Sequence, residues 1–428
     1  MHVIFFLIAF LLLVLLSMPV AFALGVSTTF VIILGGDVPL GIIPHRLWTG
    51  LDKYAFVAIP LFILAGELMS SSGILIRLLD FARLLVGRIR GGLLQMNILV
   101  SMLFGGINGS AVADCSAVGS MLIPATIDEY KDPDFAAAVT ACSAVVGPII
   151  PPSLPMLIYV LAAGNVSIGG LFLGGVVPGI MLGVGMMIIT YIVSKRHNYV
   201  TDKKSYSFQE VILILRRFIL PALLPFIMVG GIVSGVFTPT EAGGIAVFYA
   251  ILVGFCITKE LTMKAFYQAF LRTTVVTAVV LMMISVSNIS TWWLSTEHVP
   301  MIMSNFINSI TSNSNVFILL MVTMFLVIGL FLEAAAAIIM LVPVFLPIAM
   351  SYHLDPIQFG LITCMGLLIG LVTPPVALCL FITSGIAKRP VEMVFKASVP
   401  LLIVNIAVLI LIAYFPSTYL WVPKLFGY

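Results

Sequence analysis

The sequence predicts an all-α polytopic membrane protein made of two inverted-topology repeats, each with a re-entrant helical hairpin and a broken transmembrane helix. Three observations predict it. Of 428 residues, 61% are hydrophobic and 9% charged, with mean hydropathy +1.23, which excludes a soluble domain. Two apolar stretches are interrupted by double prolines, VVGPIIPPSLP from Val145 to Pro155 and LIGLVTPPVALC from Leu368 to Cys379. Proline lacks the backbone N–H and biases its predecessor away from the helical region. At membrane depth the freed carbonyls are tolerated only where protein buries them or they line a polar cavity. Finally, one ungapped shift, 374 − 151 = 223 residues, superposes both breaks and their surroundings. It carries Gly106, Pro124, Asp132, Pro133 and Gly147 onto Gly329, Pro347, Asp355, Pro356 and Gly370, and Ala111 and Ala113 onto Ala334 and Ala336. Matching helix breakers mark an internal duplication, and a broken helix in each half points to a secondary transporter.

Taken in order, the N-terminal MHVIFFLIAFLLLVLLSMPVAFALG has a signal-like AFA. It lacks a basic start, and its apolar run continues to about Leu34, so it reads as a retained first membrane segment. A polar loop, Gly35 to Tyr54, carries His45, Arg46 and Lys53; an apolar helix (Ala55 to Met69) and an SSSG turn follow. Ile74 to Arg90 places Arg77, Asp80, Arg83 and Arg88 among leucines, the pattern of an interfacial arm whose arginines reach headgroups. Gln95 to Ile127 could be one long helix, but its Gly-, Ser- and Ala-rich middle favours two half-helices meeting at a polar tip.

The first repeat is therefore placed within residues 1–200: scaffold and arm helices 1–92, hairpin 95–127, broken helix 134–164 and closing helix 168–194. A linker at 195–217 carries Lys195, Arg196, Lys203, Lys204, Arg216 and Arg217 against Asp202 and Glu210. The second repeat, 218–428, has scaffold and arm helices 218–296, hairpin 315–350, broken helix 356–386 and closing helix 391–420. By the positive-inside rule the linker and the Lys388–Arg389 loop are cytoplasmic, whereas the matching loop at Gly164 to Ser167 is uncharged and lies outside. Corresponding loops thus face opposite sides, as inverted repeats require.

The chemistry is expected where each hairpin tip meets its break. In the first half the ion-binding candidates are Gly105, Asn108, Gly109, Ser110, Gly147 and Pro148, and the substrate candidates Ser110, Pro151 and Ser153. In the second they are Gly329, Glu333, Gly370 and Thr373 for the ion, with Thr373 and Pro374 for substrate. Hard cations such as Na⁺ take oxygen ligands and suit half-helix C-termini, while half-helix N-termini suit a substrate carboxylate. Small residues can also serve only to let helices approach, but clustered tips and breaks argue for more. A carboxylate in an apolar run is costly and by default functional, so Glu333 is the sharpest single candidate.

Asp114 maps onto Ala337 rather than onto an acid. Glu67 and Glu241 read as structural residues at helix ends, and Trp292 and Trp293, beside Glu297 and His298, as an interfacial belt. The five cysteines lie in apolar segments without CxxC spacing and read as packing residues. Neither HExxH nor GxSxG occurs, and no nucleotide-binding signature points to an organic cofactor or a nucleic acid. A channel lined by the same broken helices is the competing class.

The strings PVAFALG, IPLFILAGELM, ARLLVGRIRGGL, INGSAVAD, GPIIPPS, FTPTEAG and FLEAAAAIIMLVPVFLPIA, in this order, resemble the large membrane subunit of TRAP (tripartite ATP-independent periplasmic) transporters. The similarity spans essentially the whole chain and is nearest to sialic-acid members, with C4-dicarboxylates or other organic acids as the alternative. The resemblance implies an elevator-type, Na⁺-driven importer in a bacterial inner membrane, its hairpins and breaks moving against a scaffold. It also implies a small four-helix membrane subunit, expected as a separate chain, and a periplasmic binding protein that delivers a carboxylate-bearing solute. By the same resemblance Ser110, Ser153, Glu333 and Thr373 fall on sodium- and substrate-linked positions.

Overall fold

A computed structural model of the chain describes residues 2–16, 18–36, 38–201 and 206–428. The N-terminal apolar run is two helices, α1 (His2–Leu15) and α2 (Val20–Gly35), not one segment. Pro19 is the cause: it caps α2 with extended backbone and cannot continue α1. His2 lies against Gly35, so the pair folds back on itself. The loop expected at Gly35 to Tyr54 contains α3 (Ile42–Thr49), and a 3₁₀ turn at Tyr54–Val57 leads into α4 (Ala58–Ser70).

Gly73, at φ 68°, opens α5 (Ile74–Val86), and a Cβ there would sit 1.4 Å from a Glu260 carboxylate oxygen. Arg77 does not reach out to headgroups as expected. It is ion-paired with Glu260 at 3.2 Å and its side chain is 15% exposed. Glu260 is itself 44% exposed, so the pair sits at the protein's edge, and a charge-assisted hydrogen bond to a fixed carboxylate takes the place of a headgroup contact.

The first hairpin is α6 (Gly92–Asn108) and α7 (Ala111–Tyr130), turning at Gly109, φ 69°. The first broken helix is α8 (Pro133–Ala144), a 3₁₀ turn Gly147–Ile149 and α9 (Leu154–Ala163), bent by 44°. The closing helix α10 (Ile168–Arg196) follows. Asp202, Lys203 and Lys204 of the expected linker lie outside the described residues. Arg216 and Arg217 lie on α11 (Phe208–Val233), which starts early because Ser207 and Glu210 form a reciprocal capping box. Thr238 and Glu241 form another ahead of α12 (Pro239–Leu252), the structural role expected of Glu241.

After a π-helical turn at Val253–Ile257 comes α13 (Met263–Thr296), then α14 (Val299–Ile310). The 223-residue shift places α5 on residues 297–309, so α14 is the arm of the second half. The second hairpin is α15 (Ser314–Gly329) and α16 (Ala334–Ser351); the second broken helix is α17 (Pro356–Gly370) and α18 (Leu378–Ala387). The chain ends with α19 (Val391–Tyr414) and, past Pro416, α20 (Ser417–Leu425).

Among the described residues, six helices are long and apolar enough to cross a membrane, or up to nine if each bent pair is one span. Trp293 is not part of an interfacial belt. It is 3% exposed and packs on Phe6 at 5.3 Å, because α1 and α2 cover this face of α13.

The repeats run in opposite directions. Gly91, at the mouth of the first hairpin, lies against Ser194 near the end of α10. Arg389, after α18, grips Asp134 at the start of α8 through two hydrogen bonds of 2.6 and 2.8 Å on that same face. The mouth of the second hairpin is elsewhere: the Asn315 carbonyl accepts a hydrogen bond of 2.9 Å from Tyr414 at the far end of α19. Gly169, opening α10, lies against Tyr428 on this second face. The 29 residues of α10 span about 43 Å between the two faces. At the centre, Phe135 to Ala144 of α8 and Gln358 to Gly370 of α17 are buried throughout.

Candidate functional site

Each hairpin meets its own break through glycine. A Cβ on Gly105 would sit 2.1 Å from the Cα of Gly147, and one on Gly370 2.1 Å from the carbonyl carbon of Gly329. Only hydrogen on both partners allows backbone to touch backbone this closely. The 223-residue register pairs Gly147 with Gly370 correctly, but in the first hairpin the contact falls on Gly105, one residue before Gly106. Gly106 instead faces the Ile150 and Pro151 carbonyls, and Gly109 packs on Leu154, next to Ser153.

The half-helices beyond each junction are capped by side-chain oxygens. Ser110 caps α7 by accepting from the Ala113 N–H at 3.4 Å, and Glu333 caps α16 by accepting from the Ala336 N–H at 3.4 Å. Ser110 and Glu333 are 223 residues apart and therefore equivalent. The register that carries Asp114 onto Ala337 thus carries Ser110 onto Glu333. Ser153 caps α9, accepting from the Met156 N–H at 3.2 Å while its hydroxyl donates to the Pro148 carbonyl. Thr373 donates to the Ile369 carbonyl at 3.2 Å, and among the described residues no hydrogen bond joins it to Glu333. The peptide bonds Pro151–Pro152 and Pro374–Pro375 are cis.

The two junctions differ in cover. At the first, Gly105, Gly109, Gly147, Pro148, Pro151 and Ser153 are buried and Asn108 and Ser110 half-buried. Phe62 of α4 and Met228 of α11 line the small cleft over this tip, and Gly66 of α4 packs on the Asn108 backbone. At the second, Gly329 and Gly370 are buried, Thr373 and Pro374 half-buried, and Glu333 exposed. Downstream half-helices pack crosswise, α7 on α18 and α9 on α16, so each junction is buttressed by the other repeat.

Between α6 and α8 lies a buried polar network: Asn97 donates to Thr140 at 2.6 Å, and Ser101 and Ser143 share a hydrogen at 3.0 Å. Asp114, in the first turn of α7, is fully buried, and among the described residues neither carboxylate oxygen has a hydrogen-bond partner. Glu67 is paired with Arg272 at 3.7 Å, a structural role. Among the described residues no three His, Cys, Asp or Glu side chains gather as a metal cluster. The donors at the junctions are hydroxyl, amide, carboxylate and backbone oxygens, the ligand type of hard cations.

The family model described as "Tripartite ATP-independent periplasmic transporter, DctM component" matches residues 7–418. The chain is 36% identical over 413 residues to the sialic acid TRAP transporter large permease protein SiaM of Vibrio cholerae, covering 96% of each chain. It is 34% identical over 405 residues to the C4-dicarboxylate TRAP transporter large permease protein DctM of Pseudomonas aeruginosa, covering 95% of this chain and 94% of that one. Among solved structures, the YdaH transporter of Alcanivorax borkumensis shares the fold, with TM-score 0.66 and 15% identity over 88% of this chain and 89% of that one.

Proposed function

Because this chain belongs to the DctM-component family of tripartite ATP-independent periplasmic transporters, we propose that it is the large permease subunit of a Na⁺-coupled importer for a carboxylate-bearing solute. N-acetylneuraminate is the first candidate, and C4-dicarboxylates are the alternative. The observation that carries the reading is the pair of glycine-closed junctions, each with a side-chain oxygen, Ser110 or Glu333, capping the helix beyond. Junction oxygens would take the coupling ions, and the N-termini of α7 and α9, capped by neutral hydroxyls, would meet the solute's carboxylate.

In this reading the protein is a multi-pass component of a bacterial inner membrane. The face with Lys195, Arg196, Lys388 and Arg389 is cytoplasmic. The two hairpins and two broken helices move as an elevator against the scaffold of α1–α4 and α11–α13. A separate small membrane subunit and a periplasmic binding protein complete the system. The relatives named for sialic acid and for C4-dicarboxylate are nearly equal in identity, 36% and 34%, so experiment has to choose the solute.

The test is uptake into proteoliposomes holding this chain and its small partner, with labelled N-acetylneuraminate and its binding protein outside. Accumulation that needs both an inward Na⁺ gradient and the binding protein supports the whole reading. Accumulation of succinate instead, with its own binding protein, replaces the solute. Accumulation driven by protons alone removes sodium, and equilibration without accumulation makes the chain a channel.

A further inference from the structure

On the face opposite Arg389, a cavity of about 140 Å³ lies in the seam between the scaffold and the hairpin–break elements. One wall is α13, with Ser287, Asn288 and Thr291; the other is α9 and α16, with Leu161 and Ile339. A neighbouring cavity of about 390 Å³ runs along α9 to the loop at Gly164–Gly169. Lys53 and Leu161 line both, which makes one groove of the two. Among the described residues, Lys53 is the only charged side chain lining either.

The position of Lys53 needs an explanation. It is exposed, and among the described residues no carboxylate lies within ion-pair distance of it. Asp52, its neighbour in the chain, is exposed and, among the described residues, forms no ion pair with it. The ammonium rests 5.8 Å from the Phe56 ring centroid, a weak hold at an exposed site. A lysine on the outer face runs against the charge bias of such loops. Across the cavity, the Asn288 side-chain oxygen is buried without a hydrogen-bond partner, a cost unless something occupies the space. The walls also place it well: α9 and α16 begin at Ser153 and Glu333, the capped ends of the two junctions.

We propose that this groove is an anion-receiving site, in which Lys53 holds the solute's carboxylate and Asn288 bonds a hydroxyl or amide on the same molecule, before it passes to the hairpin–break junctions. The site takes a small hydroxy- or amido-carboxylate rather than a cation or a neutral sugar, since a single unpaired ammonium faces a partly apolar cavity. It rests on the importer reading above and adds a scaffold residue that neither the duplication nor the junctions contain.

Thiol labelling tests it without requiring transport. Thr291→Cys is introduced in a Cys256→Ser background, because Cys256 is the exposed cysteine and the other four are buried. The chain and its small partner are reconstituted, and labelling rates are compared for membrane-impermeant methanethiosulfonates of opposite charge. The anionic reagent is expected to react about tenfold faster, equivalent to about 1.4 kcal/mol. Lys53→Gln should abolish the preference and Lys53→Arg keep it. Millimolar N-acetylneuraminate or succinate should slow labelling when Lys53 is present and not in Lys53→Gln. Equal rates for the two reagents, indifference to Lys53→Gln, or a charge preference without protection by either carboxylate overturns the proposal. Uptake by the parent protein, measured in parallel, reports separately on the importer reading, so the two can fail independently.

Discussion

Ser110 and Glu333 hold the same post in the two halves. Each precedes the second arm of its hairpin in extended backbone, and each accepts the N–H three residues on at 3.4 Å. One is neutral and half-buried; the other is a carboxylate and exposed. The duplication thus keeps the geometry of the cap and changes its charge, so the two junctions need not bind the same species with equal strength.

Replacing either cap should separate folding from transport. Ser110→Ala and Glu333→Ala are each expected to cost about 1 kcal/mol of stability, seen as a small drop in melting temperature in detergent. Sodium-driven uptake should fall at least tenfold in both. Glu333→Gln, which keeps a capping oxygen and removes the charge, should melt like the parent and still lose uptake. Full transport by all three would remove Ser110 and Glu333 from the ion-binding machinery.

Gly370→Ala drives a methyl to 2.1 Å from the Gly329 backbone, where no side chain can move aside. About 1–3 kcal/mol of destabilisation is expected from overpacking, together with loss of uptake. Gly385→Ala on the same broken helix has nothing within 4 Å of the new carbon. It should be neutral or slightly stabilising, since alanine is the better helix former. Equal melting temperatures for the two variants would contradict the junction geometry.

Arg389 and Asp134 join the two repeats at one face through a bidentate pair whose side chains are 36% and 21% exposed. Hydrogen bonding to Asp134 pushes the guanidinium's pKa further up, so its charge is constant at any working pH. Exposure limits its worth. A double-mutant cycle with Arg389→Ala and Asp134→Ala should give a small favourable coupling that shrinks in 1 M salt. Zero coupling at low salt would make the pair incidental.

Tyr199 is buried against Tyr130, with ring centroids 4.7 Å apart, and donates to Asp132 at 2.5 Å. Burial first, and then the hydrogen bond to the Asp132 carboxylate, push its phenol above the usual value of 10.0. An unfolded chain releases this proton near pH 10 while the folded one holds it. The contribution is therefore complete below about pH 10 and falls away as pH rises further. Melting temperatures of the complex at pH 8 and 10.5 should drop more for the parent than for Tyr199→Phe; an equal drop would count against this reading.

The composition, the two double-proline breaks and the 223-residue shift determined the membrane class, the duplication, both hairpins and both broken helices, because helix breakers act locally and leave their mark in any context. Ser110, Ser153 and Glu333 were legible as candidates for the same reason: polar residues at the ends of apolar half-helices are caps wherever the chain goes. Packing decided the rest. Whether α1 and α2 form one span or a hairpin, whether Arg77 seeks a headgroup or Glu260, and whether Trp293 lies at an interface or under Phe6 all depend on which surfaces meet. The Gly105–Gly147 contact, one residue off the repeat register, is such a case, since a helix can rotate by one position without changing its sequence pattern. So is the groove at Lys53: Lys53, Asn288 and Leu161 are remote in sequence, and only the seam between scaffold and hairpin elements brings an unpaired cation and an unpaired amide to one cavity. Local backbone preferences are carried by a few residues each, whereas close approach between distant elements is a property of the whole packed chain, and no single segment encodes it.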